Sequence, residues 1–126
     1  NEYSEKTNFE IVDATNILHD ENSFDIIVCL RLFQRLPKKT RKKILCEFSR
    51  VGSKYLIISY SFNSLWQSIR YKIKGILNKN TPKFFSNKVD KIMIELNDSG
   101  FDIIKSTSVL SFLSSEIIFL TKYKEK

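Results

Sequence analysis

Apolar positions along the chain fall into two kinds of pattern that alternate. Residues 24–30 (FDIIVCL) and 55–60 (YLIISY) are short, nearly continuous apolar runs rich in β-branched side chains. Such runs predict strands buried on both faces, as in a parallel sheet. Between them, Ile44, Leu45, Phe48 and Val51 are spaced i, i+1, i+4, i+7, which is one face of a helix. Thr40 is placed to cap that helix, and Gly52 stands where a helix-ending glycine belongs. A weaker alternation predicts a strand at about 9–13, followed by a polar loop over 16–23 that carries His19. Ser64 opens a second helical pattern through Leu65, Trp66, Ile69, Ile73, Ile76 and Leu77, and a break follows at 78–82. Ser86 is placed to cap a third helix, with Val89, Ile92, Met93 and Leu96 on one face, ending at Asn97 to Gly100. Strands are expected at 101–110 and 115–122, joined by a polar turn near 111–115. A parallel crossover needs about a dozen residues or more, so these last two strands must pair antiparallel.

The order β-β-α-β-α-α-β-β predicts an α/β fold. Its open sheet should be mostly parallel, with an antiparallel hairpin at the C-terminal end. The 126 residues make a single domain, spanning 1–126. With 42% hydrophobic and 28% charged residues, 3 Gly and 2 Pro, the composition is that of a globular chain and not of a disordered or collagen-like one. One histidine, His19, and two cysteines, Cys29 and Cys46, cannot build a His/Cys zinc site within one chain, so no metal is expected. Cys29 lies in an apolar run and Cys46 in a helical pattern. Both read as reduced core cysteines, which places the protein in the cytoplasm. No apolar run approaches the roughly 20 residues needed to span a bilayer.

Charge sharpens this picture. Net charge is +7, but residues 35–79 hold 12 Lys/Arg and one acid, Glu47, and carry +11; the remainder carries −4. A face so biased suits an anionic partner, such as phospholipid headgroups, nucleic acid or a phosphorylated compound, and equally suits a lysine-rich solvated surface.

In open α/β sheets ligands bind beyond the carboxyl ends of the strands. The first predicted strand ends in Asp13-Ala14, where a carboxylate and the next backbone N–H suit an adenine; an aspartate there also serves simply as a turn residue. The second ends in Leu30-Arg31, where the guanidinium could pair with a carboxylate or phosphate, or make a surface ion pair. The third ends in Ser59-Tyr60-Ser61-Phe62, able to line a pocket or to pack at the edge. Trp66 fits core or lid packing better than a stacking platform, and His19 fits an exposed loop.

Taken together, these residues resemble the second half of a class I S-adenosylmethionine-dependent methyltransferase, of the type 11-like kind. Segment 13–25 (DATNILHDENSFD) is similar to the family's D-A-x-x-L-P-F-x-D-x-S-F-D run, with Leu18-His19-Asp20 in place of apolar-Pro-Phe. Segment 26–36 (IIVCLRLFQRL) resembles the strand ending in R-L-L-H-H-L, and 41–51 (RKKILCEFSRV) resembles R-x-x-x-L-x-E-x-x-R-V. Segment 55–61 looks like Y-x-I-I-S-Y, and Ser99-Gly100-Phe101 matches the turn before the last hairpin.

The resemblance implies a Rossmann-like sheet and methyl transfer from S-adenosylmethionine to an unidentified acceptor. It places Asp13 and Ala14 at the cofactor's adenine, Leu30 and Arg31 beside its methionine part, and Phe33, Gln34 and Ser61 at the reaction pocket. Gln34 stands where relatives often have histidine, and no catalytic base is assigned. The motif variant suggests a lipid or cell-envelope precursor as acceptor. Peripheral membrane contact through the basic helix at 64–79 is expected in preference to nucleic acid.

One departure is large. The family's glycine-rich loop and first two strands should precede Phe9, yet Gly52, Gly75 and Gly100 all lie later and form no G-x-G. In the family's sheet order those strands lie between the strands at 9–13 and 24–30. The expectation is therefore of the C-terminal portion of a longer enzyme, which binds S-adenosylmethionine poorly by itself and whose strand at 9–13 is badly anchored. The alternative is a non-catalytic methyltransferase-like domain that binds nucleic acid or an anionic membrane surface through its basic face.

Overall fold

A computed structural model of the chain describes residues 7–61, 88–109 and 116–124. The two apolar runs form β1 (Phe24–Cys29) and β2 (Gly52–Ser61), and α1 (Lys38–Val51) connects them. Helix α2 (Val89–Asp98) precedes β3 (Phe101–Val109) and β4 (Glu116–Tyr123). The sheet order is β1-β2-β4-β3. β1 and β2 are parallel, with Cys29 opposite Ile58, whereas β4 runs antiparallel to both β2 and β3. The final hairpin thus inserts its second strand into the middle of the sheet, where β4 alternates buried and half-buried positions and β2 is buried throughout its last four residues.

The core lies on the face that α1 and α2 cover. Ile44, Leu45 and Phe48 from α1 and Ile92 and Leu96 from α2 pack on Leu56, Ile58, Tyr60, Phe101 and Phe119. Aromatic rings run through it: Phe33 meets Tyr60 edge-on at 5.2 Å, and Tyr60 meets Phe119 at 6.1 Å. A buried ion pair fastens the two helices. Arg41 Nε and Nη2 each donate to one Glu95 oxygen at 3.0 Å, while Nη1 donates to the Leu36 carbonyl at 3.2 Å. Arg41 occupies an inward position of α1 that the apolar spacing did not flag.

Several local expectations change. The region 9–13 is not a strand: Phe9 is 93% exposed, and Ile11 is fully exposed. A strand needs a neighbour for its backbone groups, and among the described residues β1 is an outer strand of the sheet that pairs only with β2. Helix α1 begins at Lys38 after Pro37, and Thr40 lies inside its first turn with its N–H bonded to the Pro37 carbonyl at 3.0 Å. Proline sets the extended entry there, so no side-chain cap is used. Gly52 follows α1 as expected but in extended backbone, φ −94°, opening β2 directly. Its missing side chain serves a close approach instead: a Cβ there would stand 1.8 Å from the Tyr123 hydroxyl, which donates to the Phe48 carbonyl at 3.0 Å. Gly100, at φ +92°, is the left-handed residue that turns α2 into β3. Cys29 is buried, and burial pushes its thiol up to about 11. Cys46 is exposed on α1, one turn beyond Lys42, because its helical position faces away from the sheet; it is not a core cysteine. The helix expected at 64–79, with Trp66, lies outside the described residues, as do Ser86 and the turn at 111–115.

Candidate functional site

Strand β1 ends at the edge where parallel α/β sheets collect ligands. Beyond Leu30 the chain turns sharply: Arg31 takes a left-handed conformation, φ +62°. Non-glycine residues enter that region at a cost of about 1–2 kcal/mol, so something must hold it. The Arg31 N–H donates to Ser59 Oγ at 2.8 Å, and the Ser59 hydroxyl donates to Glu116 Oε1 at 2.7 Å. Three strands thereby lock one backbone turn: β2 supplies the fully buried Ser59, β4 supplies Glu116, and the end of β1 receives the constraint. The Leu30 and Arg31 side chains are left exposed at this edge.

A turn of 3-10 helix, Phe33–Arg35, follows. Phe33 is wholly buried and belongs to the core cluster. Gln34 is also buried, as is Ser61 at the end of β2. Gln34 Oε1 and the Tyr60 hydroxyl are buried without a hydrogen-bond partner among the described residues. Tyr60 also lies 6.0 Å beneath the Arg41 guanidinium, and burial raises its hydroxyl pKa, with the Glu95 charge adding to the shift. Tyr60, Arg41 and Glu95 thus form a polar group within otherwise apolar surroundings.

Asp13 and Ala14 sit on the other side of α1's first turns. Asp13 Oδ1 accepts from the Thr15 N–H at 2.8 Å and from the Thr15 hydroxyl at 2.9 Å. These bonds, the backbone one foremost, hold its carboxyl below the ordinary carboxylate value. This is an aspartate closing its own turn, with one oxygen engaged. Ala14 packs against the core cluster. The loop is then fastened to α1. Ile17 N–H donates to Glu47 Oε2 at 2.8 Å, and Arg50 bonds the carbonyls of Ile17 and His19 as well as Glu47. His19 Nε2 lies 3.0 Å from Glu10 Oε2, and its ring stands edge-on to Phe24 at 5.0 Å, so it staples the loop to β1. No hydrogen bond or ion pair among the described residues joins the Asp13 turn to the Arg31 turn.

The Asp13 turn leaves one carboxylate oxygen without a partner from Thr15, and the strand end at Leu30-Arg31 leaves both side chains exposed. Glu116, Arg41 and Glu95 were not legible as members of this region. Glu116 meets Ser59 across 57 residues of sequence, and nothing local marks that pairing.

No family model matches the sequence, and no curated protein sequence does. Solved structures do match its fold. A magnesium protoporphyrin IX methyltransferase from Synechocystis PCC 6803, solved with bound S-adenosylhomocysteine, superposes with a TM-score of 0.72 at 20% identity, covering 90% of this chain and 49% of that one. A SAM-dependent methyltransferase from Methanosarcina mazei gives 0.71 at 14% identity, covering 94% of this chain and 68% of that one. The PH0226 protein of Pyrococcus horikoshii gives 0.68 at 14%, covering 96% and 62%. The chain has the fold of the class I S-adenosylmethionine-dependent methyltransferases, and spans about half the length of the Synechocystis enzyme.

Proposed function

We propose that this chain is the acceptor-side part of an S-adenosylmethionine-dependent methyltransferase, completed by a further polypeptide segment that packs along β1. The observation that carries the reading is the contrast between the two outer strands of the sheet. β3 presents Lys105, Ser106 and Thr107 to solvent, with one exposed aliphatic, Ile104, among them, the mainly polar coat of a strand that ends a sheet. β1 instead exposes Phe24, Ile26 and Val28, with Leu30 following, which together are an unprotected apolar stripe. Beside it lies an open apolar hollow lined by Val12, Ile17, Phe24, Ile26 and Val51. Such a stripe invites another strand and the elements that cover it.

In this reading Asp13 and Ala14 meet the adenine and Leu30 and Arg31 the methionine part, while Gln34 and Ser61 border the acceptor with Phe33 as its buried support. Bound S-adenosylmethionine would supply an activated methyl group, and the protein's contribution is to align an acceptor with it. The Ser59–Glu116 latch fixes the backbone at Arg31, and the Thr15 bonds fix the Asp13 carboxylate.

Calorimetric titration of S-adenosylhomocysteine tests this on the 126-residue chain and on a version extended upstream through its native coding sequence. The extended protein should bind and the short chain should not. Asp13→Ala should weaken the extended protein's affinity about tenfold, the loss of one charge-assisted hydrogen bond. Absence of binding by both forms would remove the cofactor reading.

A further inference from the structure

We infer that the solvent face of α1 is a docking surface for an anionic lipid membrane, independent of the cofactor reading. Helix α1 has an unusual distribution of charge. Lys38, Lys39, Lys42 and Lys43 are all exposed within its first two turns, and the first turn holds no acid. None of these four has a salt-bridge partner among the described residues. Positive charge at a helix N-terminus opposes the macrodipole, so the cluster works against the helix that carries it and is offset within the described chain only by the weak pull of Asp13 on Lys43. A general abundance of lysine does not explain this, because α2 mixes signs on its exposed positions, with Asp90, Lys91 and Asp98.

The stripe borders an open groove of about 500 Å³ lined by Thr15, Lys39, Lys42, Lys43, Cys46 and Glu47. The charges facing it from the neighbouring loop are already committed. Asp13 is held by Thr15 and feels Lys43, and Glu47 is bound by Arg50 and the Ile17 N–H. Asp20 and Glu21 act on Arg50, at the far end of α1.

Lipid is favoured over nucleic acid by what accompanies the lysines. Lysines are point charges without the planar fork that reads phosphate geometry. The groove holds no aromatic side chain on which a base could stack. Leu18, in the loop fastened to α1 through Ile17 and Glu47, is 88% exposed, an aliphatic group able to enter a headgroup layer. Among the described residues no helix is long and apolar enough to cross a membrane, so the contact proposed is peripheral.

Vesicle co-sedimentation tests the inference on the 126-residue chain, comparing phosphatidylcholine vesicles with vesicles containing a large fraction of phosphatidylglycerol. The chain should bind the anionic vesicles only, and binding should fall steeply with salt. The triple variant Lys39→Gln/Lys42→Gln/Lys43→Gln should bind about 100-fold more weakly, from the contribution of a lysine at an anionic surface. A control of equal charge, Lys91→Gln/Lys105→Gln/Lys122→Gln, should stay within about threefold of the parent once general screening is allowed for. All of these positions are exposed, and circular dichroism checks that the variants fold. Three results would overturn the inference: no binding to anionic vesicles, equal loss in both triples, or tighter binding to a single-stranded RNA oligonucleotide than to the vesicles.

Discussion

Replacing Ser59 with alanine tests how the strand end is held. The Ser59 hydroxyl accepts the Arg31 N–H at 2.8 Å and donates to Glu116 Oε1 at 2.7 Å, from a fully buried position. A hydrogen bond to a carboxylate contributes about 1.5–3 kcal/mol and a neutral one about 0.5–1.5 kcal/mol. Arg31 is exposed, so water can reach its N–H after the change, and the neutral bond counts at the low end. Ser59→Ala should therefore cost about 2–3 kcal/mol, a sizeable part of the roughly 5–15 kcal/mol available to a domain. Arg31→Gly acts on the same turn from the other side. It removes the left-handed penalty of about 1–2 kcal/mol but adds glycine's unfolded-state freedom, leaving a net gain of up to about 1 kcal/mol. Urea denaturation of both single variants and the double variant closes the cycle. The two changes should couple, because a turn released from Ser59 no longer forces Arg31 to φ +62°. A cost below about 0.5 kcal/mol for Ser59→Ala, or strict additivity, would mean the latch does not set the turn.

Other consequences follow from the same contacts. Glu95→Ala leaves the Arg41 guanidinium, 3% exposed, without its carboxylate, and should cost about 3–5 kcal/mol in chemical denaturation. The double replacement Arg41→Met/Glu95→Met should recover most of that loss, and a double variant no better than the single would show that the charge itself is required. Gly52→Ala forces a Cβ into the Tyr123 hydroxyl and should destabilise by about 1–3 kcal/mol, with partial rescue by Tyr123→Leu. Glu47 is held below its ordinary value of 4.5, first by Arg50 and then by the Ile17 N–H. A depressed carboxyl contributes stability above its unfolded value and loses it as pH falls through the folded one. The melting temperature should therefore decline as pH drops below about 4.5, and Glu47→Gln should flatten that decline while lowering stability at neutral pH. An unchanged acid slope in the variant would assign the decline to other groups.

The strands and helices legible in the sequence are those with a continuous apolar run or a regular apolar face. The run at 55–60 is apolar because sheet and helix contacts enclose most of it, and the i, i+4, i+7 spacing of Ile44, Phe48 and Val51 states which face of α1 turns inward, whereas the equally apolar run at 24–30 is a strand as expected but is open on one face and not buried on both. The region 9–13 misled for a physical reason. Its residues alternate like a strand, but a strand forms only where a neighbour takes up its hydrogen bonds, and that requirement is not written in its own side chains. Cys46 misled because one small sulfur side chain is compatible with either side of a helix. Gly52 was placed correctly for a different cause than the one its position suggested, since the Tyr123 ring that needs its bare Cα lies 71 residues further along the chain. The candidate site divides in the same way. Arg31 and Gln34 stand in the turns after a strand and are readable from the pattern, whereas the pattern puts Asp13 at the end of a strand that does not form, and it sits in a turn of its own. Ser59 becomes a latch only when β4 enters beside β2 and brings Glu116 to it, and Arg41 becomes a core residue only when α2 brings Glu95 to it.

The central claim is that the apolar stripe of β1 is the seam along which the rest of a cofactor site is joined. Amide hydrogen exchange on the upstream-extended protein tests it most directly. In the 126-residue chain the amides of Phe24–Cys29 that point away from β2 should exchange quickly. In the extended protein the same amides should be protected at least about 100-fold, as within a paired strand, and S-adenosylmethionine should increase the protection. If these amides exchange at the same rate in both forms, nothing pairs with β1, and the account of a completed methyltransferase site is contradicted.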